Sequence, residues 1–66
     1  MKKQFKPHKI LQRRLALNLT QQELATRAGV SESTVCLLEA GKKEPRVNTL
    51  AAIATALKSE MVDFFR

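Results

Sequence analysis

Gln21-Gln-Glu-Leu-Ala-Thr-Arg-Ala-Gly-Val-Ser-Glu-Ser-Thr-Val-Cys-Leu-Leu-Glu-Ala40 is the stretch whose reading decides the fold. It predicts two short helices joined by a tight turn. Gly29 falls where the chain has to reverse, at a position with φ > 0 that a Cβ would penalise. Ala25 is small where the first helix must let the second cross close by. Val35 lies six residues beyond Gly29, on the face that packs back onto the first helix. Leu24, Ala28, Val30 and Leu38 are apolar at the intervals that close a small core around these three.

Two start signals frame the pair. Thr20 to Glu23 is a capping box, in which the Thr20 hydroxyl accepts from the Glu23 amide and the Glu23 carboxylate reaches back to the Thr20 amide. Leu19 and Leu24 occupy the positions of a hydrophobic staple, so a helix is expected over about residues 21–28. Ser31 is a second N-cap, Val30 with Val35 a second staple, and the next helix is expected over about 32–40, ended by Gly41. Two capped starts eleven residues apart, with a turn glycine two residues before the second, make a helix-turn-helix over 21–40. The second helix of such a motif enters the major groove of DNA.

The flanks complete an all-α chain. Met1 to Lys6 is basic and without helical period, and is expected to be a mobile N-terminal arm, with the domain over 7–66. Pro7 suits a first helical turn. Ile10, Leu11, Arg14 and Leu17 then fall on one face, and Asn18 suits the left-handed residue after the helix. Gly41 to Arg46 is a basic loop in which Pro45 blocks helix continuation. Leu50, Ile53, Ala54 and Leu57 predict a helix over about 47–57, and Glu60 to Phe65 one or two closing turns carrying Met61, Phe64 and Phe65. The expected architecture is a compact five-helix domain.

Composition narrows the function. A chain of 66 residues makes one domain with a thin core. Cys36 is the only cysteine and His8 the only histidine, so neither an intrachain disulfide nor a Cys/His metal cluster is available, and no cofactor is expected. Twelve Lys and Arg against six Asp and Glu give a net charge of +6, which suits a polyanion: nucleic acid or an anionic membrane surface. No apolar run approaches the roughly 18–20 residues that span a bilayer, and the basic N-terminus lacks the apolar segment of a signal peptide. A cytoplasmic protein with no membrane partner is therefore expected. No Ser/His/Asp or Cys/His set and no phosphate-cradling glycine loop is present, so an enzyme is not expected, and no small-molecule ligand is evident.

Four stretches, Leu19 to Ala25, Ala28 to Ser31, Leu38 to Gly41 and Leu50 to Leu57, together resemble the phage repressor and Cro-like helix-turn-helix family, often called XRE-like. The resemblance covers about residues 8–65, and its specific part is the first two stretches at their fixed spacing. It implies a five-helix domain that binds an operator and regulates transcription, usually as a two-fold dimer. It also implies that Arg14 pairs with Glu39 and braces the recognition helix from behind, with Arg14 able to face a phosphate. The chain departs from the family at Lys58, where Gly or Asn commonly ends the fourth helix, at Ser59, where an apolar residue is common, and at Arg46, where a Ser or Thr cap is common.

Base-reading side chains come from the N-terminal part of the recognition helix. Its outward positions after Ser31 are Glu32, Ser33, Cys36 and Leu37. Glu32 can accept from cytosine N4, although a carboxylate there also suits the helix N-terminus. Ser33 discriminates weakly, and Leu37 can pack on a thymine methyl or on another protein segment. Without Arg, Gln or Asn at these positions, direct readout is modest and DNA shape carries more. Expected phosphate contacts are Thr20, Gln21, Gln22, Ser31 and Thr34 at or near helix starts, and Lys42, Lys43 and Arg46 in the basic loop. The function expected is a sequence-specific, double-stranded DNA-binding transcriptional regulator, homodimeric at least on DNA. The alternative is an antitoxin-type or other protein-interaction module on the same fold. Met61, Phe64 and Phe65 suit either a dimer surface or the monomer's own core.

Overall fold

The computed structural model describes residues 4–66. Four α-helices follow in order: α1 (Pro7–Ala16), α2 (Gln21–Ala28), α3 (Glu32–Glu39) and α4 (Val47–Ala56). A 3₁₀ helix, Met61–Phe65, closes the chain. α2 is central and packs against both α3 and α4, while α1 packs against α3 and the 3₁₀ helix.

The fold is therefore all-helical with four α-helices, and the fifth expected helix is a 3₁₀ segment. The cause is length. Five residues cannot repay the cost of nucleating an α-helix, and the tighter 3₁₀ turn is used in such short pieces. It starts with the Glu60 amide donating to Asp63 Oδ2 at 2.9 Å.

All four α-helices end in the same way. A left-handed residue follows each: Asn18 (φ 58°), Gly29 (φ 72°), Gly41 (φ 73°) and Lys58 (φ 54°). After each, the next amide reaches back into the last turn, as in Leu19 to the Arg14 carbonyl at 3.0 Å and Ser59 to the Ala54 carbonyl at 2.8 Å. Glycine and asparagine tolerate this conformation, and lysine does not share their advantage. Lys58→Gly is therefore expected to stabilise the domain by about 0.5 kcal/mol. Relief of about 1–2 kcal/mol of left-handed strain outweighs the roughly 0.5–1 kcal/mol lost to the freer unfolded glycine. Urea unfolding followed by helical circular dichroism checks the sign, and a lower midpoint would contradict it.

The core is one cluster drawn from every element: Ile10 from α1, Leu24 and Ala25 from α2, Val35 and Leu38 from α3, Leu50, Ile53 and Ala54 from α4, with Leu19, Leu57 and Phe64 from the connections and the 3₁₀ helix. Ala25 and Val35 are buried where the helix-turn-helix requires it, and Ala28 and Val30 pack at the cluster's edge. Leu11 departs from expectation. It is exposed, because the inward stripe of α1 runs through Ile10, Arg14 and Leu17, and Leu11 lies about 100° around the helix from Ile10.

Within the N-terminal stretch, the Lys6 amide donates to the Phe64 carbonyl at 2.8 Å, and Phe5 meets Phe65 edge-on with ring centroids 6.1 Å apart. Met1 to Lys3 lie outside the described residues. Phe64 is buried and Met61 and Phe65 pack on the core, partly exposed, so these residues help to close the monomer.

Candidate nucleic-acid interface

Glu39 at the end of α3 is held by a two-toothed ion pair with Arg14 of α1. Arg14 Nε donates to Oε2 at 2.6 Å and Nη2 to Oε1 at 3.0 Å. The remaining Arg14 nitrogen, Nη1, donates to the Leu19 carbonyl at 2.8 Å, in the turn before α2. Gln21, in the first turn of α2, adds its Nε2 to Glu39 Oε1 at 2.9 Å. The two charged side chains are only 10% and 6% exposed. Hydrogen bonding to Glu39 pushes the Arg14 pKa above its already high ordinary value, against the opposing effect of burial. One charge pair thus joins α1, the turn before α2, the start of α2 and the end of α3.

The starts of α2 and α3 are closed by their own side chains. Thr20 Oγ1 accepts from the Glu23 amide at 3.0 Å and Glu23 Oε1 accepts from the Thr20 amide at 2.9 Å. That bond draws the Glu23 carboxyl below the usual carboxylate range. The stability it lends is present above the unfolded carboxylate value and is lost as pH falls through the lowered folded one. Ser31 Oγ accepts from the Thr34 amide at 3.1 Å and lies 2.8 Å from Thr34 Oγ1. Both caps leave the preceding first-turn amides without intrahelical acceptors, as at any helix start.

α3 divides as its sequence predicts. Val35 and Leu38 are fully buried, while Glu32, Ser33, Cys36 and Leu37 are exposed. Leu37 is 38% exposed, a large apolar side chain on an otherwise polar outer face. Beside the first turn of α3 lies a groove of about 310 Å³ that brings Ser31, Thr34, Lys43 and Arg46 together. Thr49 of α4 also lines it, a residue that sequence reasoning missed because nothing local marks it. Thr20, Gln22 and Lys42 are exposed outside that groove. Gln21 is different. One hydrogen of its side-chain amide is committed to Glu39, so its second amide hydrogen and its backbone N–H remain for a phosphate. Arg46 starts α4 without a side-chain cap bond, which leaves its guanidinium uncommitted to that helix.

Among the described residues, no group of three or more His, Cys, Asp and Glu side chains could hold a metal ion. No helix of the described residues is long and apolar enough to cross a membrane.

Comparison with known proteins agrees with this geometry. Residues 10–64 match the helix-turn-helix family. An HTH-type transcriptional regulator of Archaeoglobus fulgidus is 38% identical over 52 residues, covering 79% of this chain and 73% of that protein. One of Methanothermobacter thermautotrophicus is 41% identical over 54 residues, covering 82% and 78%. Among solved structures, the P22 c2 repressor in complex with a synthetic operator superposes with a TM-score of 0.88 at 27% identity, covering 96% of each chain. The restriction-modification controller protein C.AhdI of Aeromonas hydrophila superposes with a TM-score of 0.86 at 29% identity, covering 89% of each.

Proposed function

The chain belongs to the helix-turn-helix family and is a DNA-binding transcriptional regulator, and we propose that it reads an operator half-site with the outer face of α3. The observation that carries this reading is the convergence of Ser31, Thr34, Lys43 and Arg46 on one groove beside the first turn of α3. Cations and helix-start donors set against a polyanion fix register, while side chains in the groove of the duplex read bases. Glu32, Ser33, Cys36 and Leu37 are the base-facing set. Thr20, Gln21, Gln22 and Lys42 extend the phosphate contacts to either side. The site of action is the cytoplasm. Two copies on a two-fold operator would stand about 34 Å apart, one turn of DNA.

Lys43→Ala with Arg46→Ala tests the phosphate contacts. Neither side chain makes a hydrogen bond or ion pair among the described residues, so the fold should survive. Affinity for any duplex should fall, and the slope of log affinity against log salt should shrink by about 2, from about 0.9 per lost phosphate contact. Fluorescence anisotropy over a salt series measures both. An unchanged slope would remove the groove from the interface.

Leu37 favours a second reading, since an exposed leucine beside Cys36 also suits a partner helix. A protein partner captured through Leu37, with no DNA preference in the same preparation, would establish the interaction module instead.

A further inference from the structure

A second cleft, open to solvent, lies on the seam between α1 and the C-terminal 3₁₀ helix. Its volume is about 480 Å³, within the roughly 300–1,000 Å³ usual for small-ligand sites. Four cations line it: Lys9 and Arg13 from α1, Lys58 from the end of α4, and Arg66. Asp63 is the only acid in the lining and is already engaged by Arg66 at 3.7 Å. Lys9 and Lys58 make no ion pair among the described residues.

Arg13 forms a fixed wall of this cleft. Its Nε donates to the Leu57 carbonyl at 3.0 Å and to Ser59 Oγ at 3.1 Å. Its Nη2 makes only a 3.5 Å contact with the Lys58 carbonyl, which leaves the guanidinium edge largely free for another acceptor. The side chain is thus oriented before any ligand arrives, which lowers the ordering cost of binding.

Two features of the cleft are unfavourable in the free protein. Like charges crowd one concavity. One of them, Lys58, also stands on a left-handed backbone that favours glycine. A glycine there would remove both the strain and one charge. A doubly charged oxyanion offsets the crowding and takes charge-assisted hydrogen bonds from the ammonium and guanidinium groups.

We propose that this cleft binds the phosphate group of a small molecule, held by Lys9, Arg13 and Lys58. The cleft shares no lining residue with the groove beside α3, so the proposal does not rest on the DNA-binding reading. Lys9 and Lys58, unpaired among the described residues, stand beside the pre-oriented Arg13 and suit one compact, highly charged group.

The test is titration of the isotopically labelled chain with inorganic phosphate and with pyrophosphate at constant ionic strength, read by amide chemical shifts. Saturable shifts are expected around Lys9 to Arg13 and Lys58 to Asp63. Lys9→Gln with Lys58→Gly should weaken pyrophosphate binding at least ten-fold, while Lys43→Ala with Arg46→Ala should leave it unchanged. Shifts confined to the groove beside α3, equal shifts with chloride, or an affinity indifferent to the Lys9 and Lys58 changes would overturn the proposal. Tighter binding of a glutamate-rich peptide at the same resonances would reassign the cleft to a protein partner. Shifts there that only duplex DNA produces would reassign it to nucleic acid.

Discussion

Arg14→Leu should destabilise the domain by about 3 kcal/mol or more, the usual cost of removing one partner from a buried ion pair. The substitution leaves Glu39, only 6% exposed, with its charge facing an apolar side chain and Gln21 as its one remaining donor. It also strips a donor from the buried Leu19 carbonyl. A domain of this size has a total stability of only about 3–10 kcal/mol, so the loss is about a third of it or more. The double change Arg14→Leu with Glu39→Leu should recover much of the loss, since paired apolar side chains leave no unpartnered charge. The chain has no Trp or Tyr, so helical circular dichroism in a urea series is the suitable readout. A single variant within about 1 kcal/mol of the parent would contradict the bracing role.

Phe64→Ala should cost about 3–5 kcal/mol, the range for emptying a buried aromatic position. Phe64 is 1% exposed and is the largest fully buried side chain. It secures the 3₁₀ helix to the core, and its carbonyl holds the Lys6 amide at 2.8 Å. Removing the ring should therefore loosen both chain ends before it loosens α2 and α3. Phe65→Ala should cost far less, since that ring is half-buried against Phe5 at the edge. Hydrogen exchange separates the two. Amides of residues 5–9 and 61–65 should lose protection first in Phe64→Ala, and uniform loss across all helices would contradict this order.

The helix-turn-helix was legible in the sequence because its determinants are local. Thr20 with Glu23, Ser31 with Thr34 and the left-handed Gly29 are settled within three or four residues, and all three take their expected geometry. What could not be read spans the chain. Arg13 finds its acceptors 44 and 46 residues away, and Gln21 finds Glu39 18 residues away. Neither distance leaves a periodic or compositional mark. Lys9, Arg13, Lys58 and Arg66 likewise share a cleft only because α1 returns beside the C-terminus. The Arg14–Glu39 pair was reached through family resemblance, not through spacing. Leu11 was misplaced because Ile10 and Leu11 are adjacent in sequence, and periodicity alone does not say which of two neighbours faces inward.

The exposed face of α3 carries the specificity in this account, and it offers no side chain that can make a bidentate contact to guanine or adenine. On the proposed reading, readout is shared between Glu32, Ser33 and Leu37 and the shape of the duplex. Selection from a random duplex library at near-physiological salt, run in parallel on the parent chain and on Glu32→Gln with Leu37→Ala, tests this most directly. An inverted repeat recovered with the parent, and altered or lost at the same positions with the variant, is the predicted result. The same motif from both proteins, or no motif from the parent with binding that vanishes as salt rises, would contradict it.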